Sequence, residues 1–250
     1  MNPYTLAHKT IMVTGASSGI GEATAIACDL LGARVLLLGR NEERLAGTLK
    51  KLSNRDHRIL PIDLTDFEAL KPQLAIFLND IPSIDGMVHA AGITSTYPFK
   101  LFKPEQLDQL LKVNVHAAFY LTKLVLNKLN KKGASLVFIS SIMANVGEKA
   151  KTMYAITKGA VSSGAKSLAI EYASKKVRVN TIAPGIVNTP MTVHATYKKN
   201  EALYAETIAK YPLGFGAPED VAYSCVYLLS EASKWVTGTE ITIDGGYSAK

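Results

Sequence analysis

Two side chains four residues apart, Tyr154 and Lys158 in Tyr154-Ala155-Ile156-Thr157-Lys158, are candidates for moving a proton. On a helix, positions i and i+4 share one face. A free phenol has a pKa of about 10 and is a poor proton carrier at neutral pH. A nearby ammonium group favours the phenolate and lowers that value. The pair therefore reads as a general acid or base tuned toward the operating pH, although a packed tyrosine beside a surface lysine has the same spacing. Ser140 and Ser141 follow the β-rich run Val137-Phe138-Ile139. A hydroxyl there emerges at the C-terminal end of a strand, the edge where open parallel sheets bind ligands, and can donate a hydrogen bond to a carbonyl oxygen. On residue type alone the two serines are rivals.

A second group of residues suits a phosphate. The chain runs Thr14-Gly15-Ala16-Ser17-Ser18-Gly19-Ile20-Gly21 directly after its first β-rich run. Glycines at 15, 19 and 21 allow a tight turn and a close backbone approach to a pyrophosphate. The helix after them offers free N–H groups and its positive dipole end. Glycine-rich turns also arise for structural reasons alone, so the placement after the first strand carries the argument. The second β-rich run ends Leu38-Gly39-Arg40-Asn41, with no carboxylate to hold a ribose 2′-hydroxyl. Arg40 can instead pair with a 2′-phosphate, which favours NADP over NAD; otherwise it is a solvated arginine at a strand end. Asp63-Leu64 closes the third run and either meets the adenine edge or caps a turn.

The elements that must position these residues alternate in kind. Strand-like runs at 11–14, 34–38, 58–62, 86–89, 135–139, 177–182 and 240–243 are separated by helical patterns at 21–31, 42–52, 67–78, 104–129, 153–173 and 220–229. This alternation predicts an α/β fold, a doubly wound parallel sheet of about seven strands with helices on both sides. Val35-Leu36-Leu37-Leu38 is apolar on both faces, as such a sheet requires. With no repeat, linker or low-complexity segment, 1–250 reads as a single domain. Residues 188–212 break the alternation with polar and aromatic side chains and read as a mobile helical lid over a site.

The composition fits a globular protein, with 250 residues, 48% hydrophobic and 20% charged. No signal peptide and no membrane span is expected. The two cysteines, Cys28 and Cys225, make no disulfide framework and lie in helical patterns, so a reduced, cytoplasmic setting is expected. The net charge of +7 is dispersed, without an aromatic-interleaved basic stripe or zinc-finger spacing. It speaks against nucleic acid and for a phosphate-bearing ligand; no metal site is expected.

Taken together, these motifs make the chain resemble the short-chain dehydrogenase/reductase family over nearly its full length. Thr14–Gly21 is similar to T-G-x-x-x-G-x-G, and Tyr154 with Lys158 to Y-x-x-x-K. The family's serine lies thirteen residues before the tyrosine, which selects Ser141 over Ser140. Asn114 in Lys112-Val113-Asn114-Val115 resembles the fourth catalytic residue, and Asp244-Gly245-Gly246 the usual C-terminal strand ending. The resemblance implies a single Rossmann domain that reduces a carbonyl with NADPH. Tyr154 would give the proton, Ser141 would orient the oxygen, and Lys158 would depress the tyrosine pKa and hold the nicotinamide ribose. Asn114 would hold a relay water. Implied cofactor contacts are Gly15, Ser17, Ser18, Gly19, Ile20, Gly21, Arg40, Asp63 and Leu64, then Ala90, Ala91, Gly92, Tyr154 and Lys158, and finally Pro184, Gly185, Val187 and Thr189.

The departures are His89-Ala90-Ala91-Gly92 where the family has N-N-A-G, and a shortened Pro212–Gly216 segment without its usual basic residue. The resemblance extends to 3-oxoacyl-[acyl-carrier-protein] reductases, in which two basic residues near the site entrance help bind the acidic carrier. Lys132 and Lys175 take those positions here, or are ordinary surface lysines. A reductase or alcohol dehydrogenase for a sugar, polyol, steroid or small ketone shares the same core, with specificity in the loops at 94–99 and 143–151. A non-catalytic dinucleotide sensor is the remote alternative. The family implies a homotetramer or homodimer through the helices at 104–129 and 153–173, the latter dense in small residues.

Overall fold

Runs that are apolar on both sides become strands buried on both sides. Leu36, Leu37 and Leu38 are wholly shielded from solvent, as are Met12, Val13 and Leu136. The computed structural model describes residues 2–53, 55–193 and 195–249. Its strands are β1 (Thr10–Thr14), β2 (Arg34–Gly39), β3 (Arg58–Pro61), β4 (Gly86–His89), β5 (Ala134–Ile139), β6 (Val177–Pro184) and β7 (Glu240–Ile243). They form one parallel sheet of seven strands in the order β3-β2-β1-β4-β5-β6-β7. The helices are α1 (Gly19–Leu30), α2 (Glu42–Leu49), α3 (Phe67–Phe77), α4 (Pro104–Leu111), α5 (Ala117–Val125), α6 (Thr152–Tyr172), α7 (Glu201–Ile208) and α8 (Pro218–Leu229).

Two cores result, one on each face. Ala25, Cys28, Val221 and Cys225 from α1 and α8 pack on Val13, Val35 and Val137. Leu70, Leu121, Val125, Val161 and Ala165 from α3, α5 and α6 pack on Met12, Leu36 and Leu136. Both thiols are free and buried. The fold is the expected single doubly wound domain, with its switch point between β1 and β4, where strand order reverses and a crevice opens at the carboxyl ends.

The long helix expected over 104–129 is not continuous. It is α4, a π turn at Lys112–His116, α5 and a closing 3₁₀ turn at Leu126–Lys128. A π turn inserts one residue into the helical repeat and rotates the helix beyond it, and such turns cluster at functional sites. The residue it carries inward is Asn114. In α6 the small residues serve packing within the chain at one point: a Cβ at Gly164 would stand 2.6 Å from Phe119 Cζ. The segment 188–212 holds two 3₁₀ turns, Pro190–Thr192 and Thr196–Lys199, and α7; residue 194 lies outside the described residues. The ring of Phe215 fastens the segment, with centroids of Tyr197, Tyr204 and Tyr211 at 5.4, 5.6 and 5.3 Å.

His89, the departure from N-N-A-G, is accommodated in the core. Its ring stacks on Phe138 at 4.4 Å, and Nε2 lies 2.8 Å from the Thr122 hydroxyl. That hydroxyl donates to the Ala118 carbonyl oxygen, so it accepts from Nε2–H, and the neutral ring leaves Nδ1 without a partner. Burial holds the His89 pKa down to about 3. The unfolded chain therefore takes up a proton below about pH 6.5 that the native chain refuses, and native stability falls as pH drops through that range. Thermal unfolding should show His89→Asn losing less Tm than wild type between pH 7 and pH 5, by about 3 °C or more. An equal loss would remove His89 from the acid response.

Candidate active site

The glycine turn, the other loops named for the cofactor and Ser141 sit just beyond strand carboxyl ends, while Tyr154 and Lys158 lie in α6 and Asn114 in the π turn. The glycine turn follows β1, Arg40 follows β2, Asp63 and Leu64 follow β3, and Ala90–Gly92 follows β4. Ser141 follows β5, and Gly185, Val187 and Thr189 follow Pro184, the last residue of β6. The turn is close-packed. Gly15 has φ +65°, and a Cβ there would stand 2.9 Å from the Ala91 nitrogen. A Cβ at Gly21 would stand 2.3 Å from the Gly15 carbonyl oxygen, so only glycine lets the first turn of α1 pack this close to the loop. Thr14 Oγ1 accepts from the Ala91 N–H at 3.2 Å and ties the β1 and β4 ends together. Ser18, the N-cap of α1, makes no side-chain cap bond. The first N–H groups of α1 thus face the crevice, as a pyrophosphate site requires. Gly19 lies against Thr189, whose Cγ2 is 3.1 Å from an added Cβ, so the β1 and β6 loops enclose one space.

At the edge of this space Arg40 is exposed and makes no ion pair with the described residues. Asp63 accepts from the backbone N–H and hydroxyl of Thr65, each at 2.8 Å. Burial raises its pKa, but these bonds and the charge of Arg40 outweigh it and hold the carboxyl below its ordinary value. Asp63 is thus a turn residue by its side chain, which leaves main chain to meet a base. Glycine cradle, free helix terminus and unpaired arginine together fit a dinucleotide with a phosphate on its adenosine ribose.

Beside the cradle lies a cavity of about 530 Å³. Ser141, Tyr154 and Lys158 open into it, together with Ile20, Ala90, Gly92, Pro184, Gly185, Val187 and Thr189. The structure thus brings ten of the named residues to one wall. Ser140 also borders the cavity, but its hydroxyl is engaged with Ser162 Oγ at 2.7 Å and the Lys158 carbonyl oxygen at 3.2 Å. Lys158 Nζ donates to the Ile139 carbonyl oxygen at 2.8 Å and lies 5.7 Å from the Tyr154 ring centroid. Asn114 is buried behind them. It accepts from Ile93 N–H at 2.8 Å and donates to the Ile93 carbonyl oxygen and Thr157 Oγ1, each at 3.0 Å.

Two expectations are corrected. The Tyr154 pKa is not lowered in the free chain: burial pushes it up to about 12, with the Ser141 hydroxyl only partly opposing the shift. Burial also lowers Lys158, to about 8. Burial sets the direction at both groups, and the Lys158 ammonium is turned to the Ile139 carbonyl oxygen. Lys132 and Lys175, expected near the site entrance, lie elsewhere. Lys132 precedes β5 and Lys175 closes the 3₁₀ turn before β6, so both stand at the amino ends of strands whose carboxyl ends carry the site. Lys175 rests over the Tyr172 ring at 4.8 Å.

Several residues of the site carry no motif. Thr157 and Ile93 hold Asn114, and the Ile139 carbonyl holds Lys158. Met143, Lys151, Ile186 and Tyr211 complete the cavity, while Met191, Thr192, Ala195, Tyr197, Leu203 and Thr207 of the segment 188–212 cover it. The runs 94–99 and 143–151, where specificity was expected, supply Thr94, Ser95, Thr96, Met143, Glu148, Lys149 and Lys151.

Residues 15–248 match a family model described as enoyl-(acyl carrier protein) reductase. A protein of Thermotoga maritima named 3-oxoacyl-[acyl-carrier-protein] reductase is 34% identical over 245 residues, covering 96% of this chain and 98% of its own. The chain belongs to the short-chain dehydrogenase/reductase family. An oxidoreductase of Salmonella typhimurium is 33% identical, covering 96% of this chain and 95% of its own. Among solved structures, a putative short-chain alcohol dehydrogenase from Sinorhizobium meliloti superposes with a TM-score of 0.90 at 29% identity and 99% coverage of both chains. A putative 2-deoxy-D-gluconate 3-dehydrogenase from Agrobacterium tumefaciens, with bound NADP, has a TM-score of 0.87 at 30% identity and full coverage of both. Membership makes the chain a short-chain oxidoreductase that binds a nicotinamide dinucleotide and acts on a CH–OH/C=O pair. No described helix is long and apolar enough to cross a membrane.

Proposed function

We propose that this short-chain reductase uses NADPH to reduce a carbonyl to an alcohol, with Tyr154 as proton donor. The observation that carries the reading is the convergence of Tyr154, Ser141 and Lys158 on one cavity wall beside the glycine cradle. When bound, the dinucleotide supplies a hydride at its nicotinamide ring. Gly15, Ser17, Ser18, Gly19, Ile20 and Gly21 hold its pyrophosphate, and Arg40 its 2′-phosphate. The main chain of Asp63 and Leu64 meets the adenine. Ala90, Ala91, Gly92, Pro184, Gly185, Val187 and Thr189 line the nicotinamide side, and Lys158 bonds its ribose.

Ser141 then donates to the carbonyl oxygen and holds it against the Tyr154 hydroxyl. A phenol held at about 12 is fully protonated at neutral pH, the form that gives a proton to a developing alkoxide. Lys158, at about 8, restores that proton. Asn114 has its side chain fully engaged, so a relay water falls to its main-chain carbonyl in the π turn. Oxidation of an alcohol runs the same atoms in reverse.

The relatives named 3-oxoacyl-carrier-protein reductases make a 3-oxoacyl thioester one candidate among the carbonyl substrates of this site. Lys132 and Lys175 add nothing to that reading within one chain, being at the other end of the sheet. The chain assembles as a homotetramer or homodimer, supported by Ile156 and Ile170 of α6 at 46% and 77% exposure. The free, buried thiols support a cytoplasmic setting. NADPH oxidation with acetoacetyl thioester, beside small ketones, oxo acids, sugars, steroids and an enoyl thioester, tests the reading. Turnover of a ketone is expected; turnover of the enoyl thioester alone would replace carbonyl reduction with reduction of a carbon–carbon double bond.

A further inference from the structure

Lys151 is a charged group of the cavity wall, beside Tyr154, that the proposed chemistry leaves unused. It precedes α6, three residues ahead of Tyr154, and is half-buried. Its Nζ donates to Thr96 Oγ1 at 2.7 Å, to the Ser95 carbonyl oxygen at 3.4 Å and to Thr94 Oγ1 at 3.5 Å. These partners are neutral. They solvate the ammonium and do not cancel its charge. No ion pair joins Lys151 to a carboxylate among the described residues. Of the described cavity-lining residues Glu148 is the one carboxylate, against Lys149, Lys151, Lys158 and Lys210. Glu148 is exposed and only partly offsets the burial that pulls the Lys151 pKa below its ordinary value.

The backbone fixes where this cation stands. Ala150 has φ +64°, in the left-handed region that side chains with a Cβ rarely adopt. Its carbonyl oxygen accepts from the Tyr97 N–H at 3.0 Å, which closes the loop at 94–97 onto the start of α6. Strain of this kind persists where surrounding bonds over-determine it, and it gathers at ligand sites. A cation drawn from water without a counter-charge is unfavourable, and an anionic ligand offsets that cost.

We infer that Lys151 is an anion anchor, and that the substrate is a short oxo acid whose carboxylate pairs with Lys151 while its ketone oxygen meets Tyr154 and Ser141. The inference rests on the carbonyl-reduction reading and names its substrate class. The Nζ of Lys151 lies 5.8 Å from the Tyr154 ring centroid, so one small molecule reaches both. Met143, Ile186 and Leu203 offer apolar contact to a short carbon chain. Hydride and proton add across the C=O bond to give the hydroxy acid, NADPH becomes NADP⁺, and the carboxylate is unchanged.

The test compares pyruvate, acetoacetate and laevulinate with their methyl esters, in wild type, Lys151→Met and Lys151→Arg. Wild type should favour at least one acid over its ester by about tenfold or more in kcat/KM. Lys151→Met should bring that ratio near one, mainly through KM, and Lys151→Arg should keep the acid preference. Calorimetry on the NADPH-loaded Tyr154→Phe protein gives a readout apart from turnover: the preferred acid should bind, and adding Lys151→Met should abolish binding. Esters matching their acids in wild type, no binding or turnover of any acid, or an acid preference that survives Lys151→Met would overturn the anchor. Lys151-dependent binding with no ketone reduced would instead keep the anchor and remove the carbonyl reading. Ketone turnover without acid preference would do the reverse.

Discussion

Tyr154→Phe should lower kcat by about 10³-fold, within the range a positioned general acid supplies, while the Kd for NADPH stays within about threefold of wild type. The substitution removes one oxygen from the cavity wall and leaves the glycine cradle and Arg40 untouched. It also leaves Ser141, which still binds the carbonyl oxygen, so KM should change little. The sign of the pH response comes from the same group. With the phenol pushed up to about 12 and Lys158 at about 8, the reducing direction has its proton in place at neutral pH. Reduction should weaken as pH rises through the Lys158 value, and alcohol oxidation should strengthen. Single-turnover kinetics on the NADPH-loaded enzyme measures this directly. Turnover near wild type in Tyr154→Phe would take the residue out of acid–base chemistry.

Arg40→Asp should reverse the choice of dinucleotide. The guanidinium is exposed at the carboxyl end of β2 and makes no ion pair with the described residues, so a 2′-phosphate finds it free. Replacing it with a carboxylate loses a charge-assisted bond and adds repulsion. A loss on the order of 100-fold in kcat/KM for NADPH is expected. NADH should hold or improve, because the new carboxylate can accept from its ribose 2′-hydroxyl. Paired steady-state measurements with both dinucleotides check this. Equal losses would show that Arg40 does not read the phosphate.

Much of this site was legible in the sequence because its signals are local. The glycines at 15, 19 and 21 come directly after a strand, and Tyr154 and Lys158 are one helical turn apart. The parallel, doubly wound sheet follows from regular alternation and right-handed crossovers, whereas the strand order that sets the switch point is seen only in the fold. The features that were not legible depend on three-dimensional surroundings. The π turn that aims Asn114 changes helical phase by one residue, which no apolar periodicity announces. Burial reversed the expected direction at Tyr154, because desolvation depends on the whole cavity wall. Lys151 became a site residue only when the loop at 94–97 folded onto Ala150. The placement of Lys132 and Lys175 is a local signal too: each precedes a strand, and the amino end of a parallel strand is the end away from the ligand crevice.

The most direct test of the central claim is isotopic. The protein would be given NADPH carrying deuterium at both C4 positions, with the best ketone from the substrate panel, and the product alcohol analysed by mass spectrometry. The account predicts an alcohol that carries one deuterium on its carbinol carbon, formed by wild type and about 10³-fold more slowly by Tyr154→Phe. NADPH consumed with no deuterium in the product, or deuterium delivered equally well without the Tyr154 hydroxyl, would contradict it.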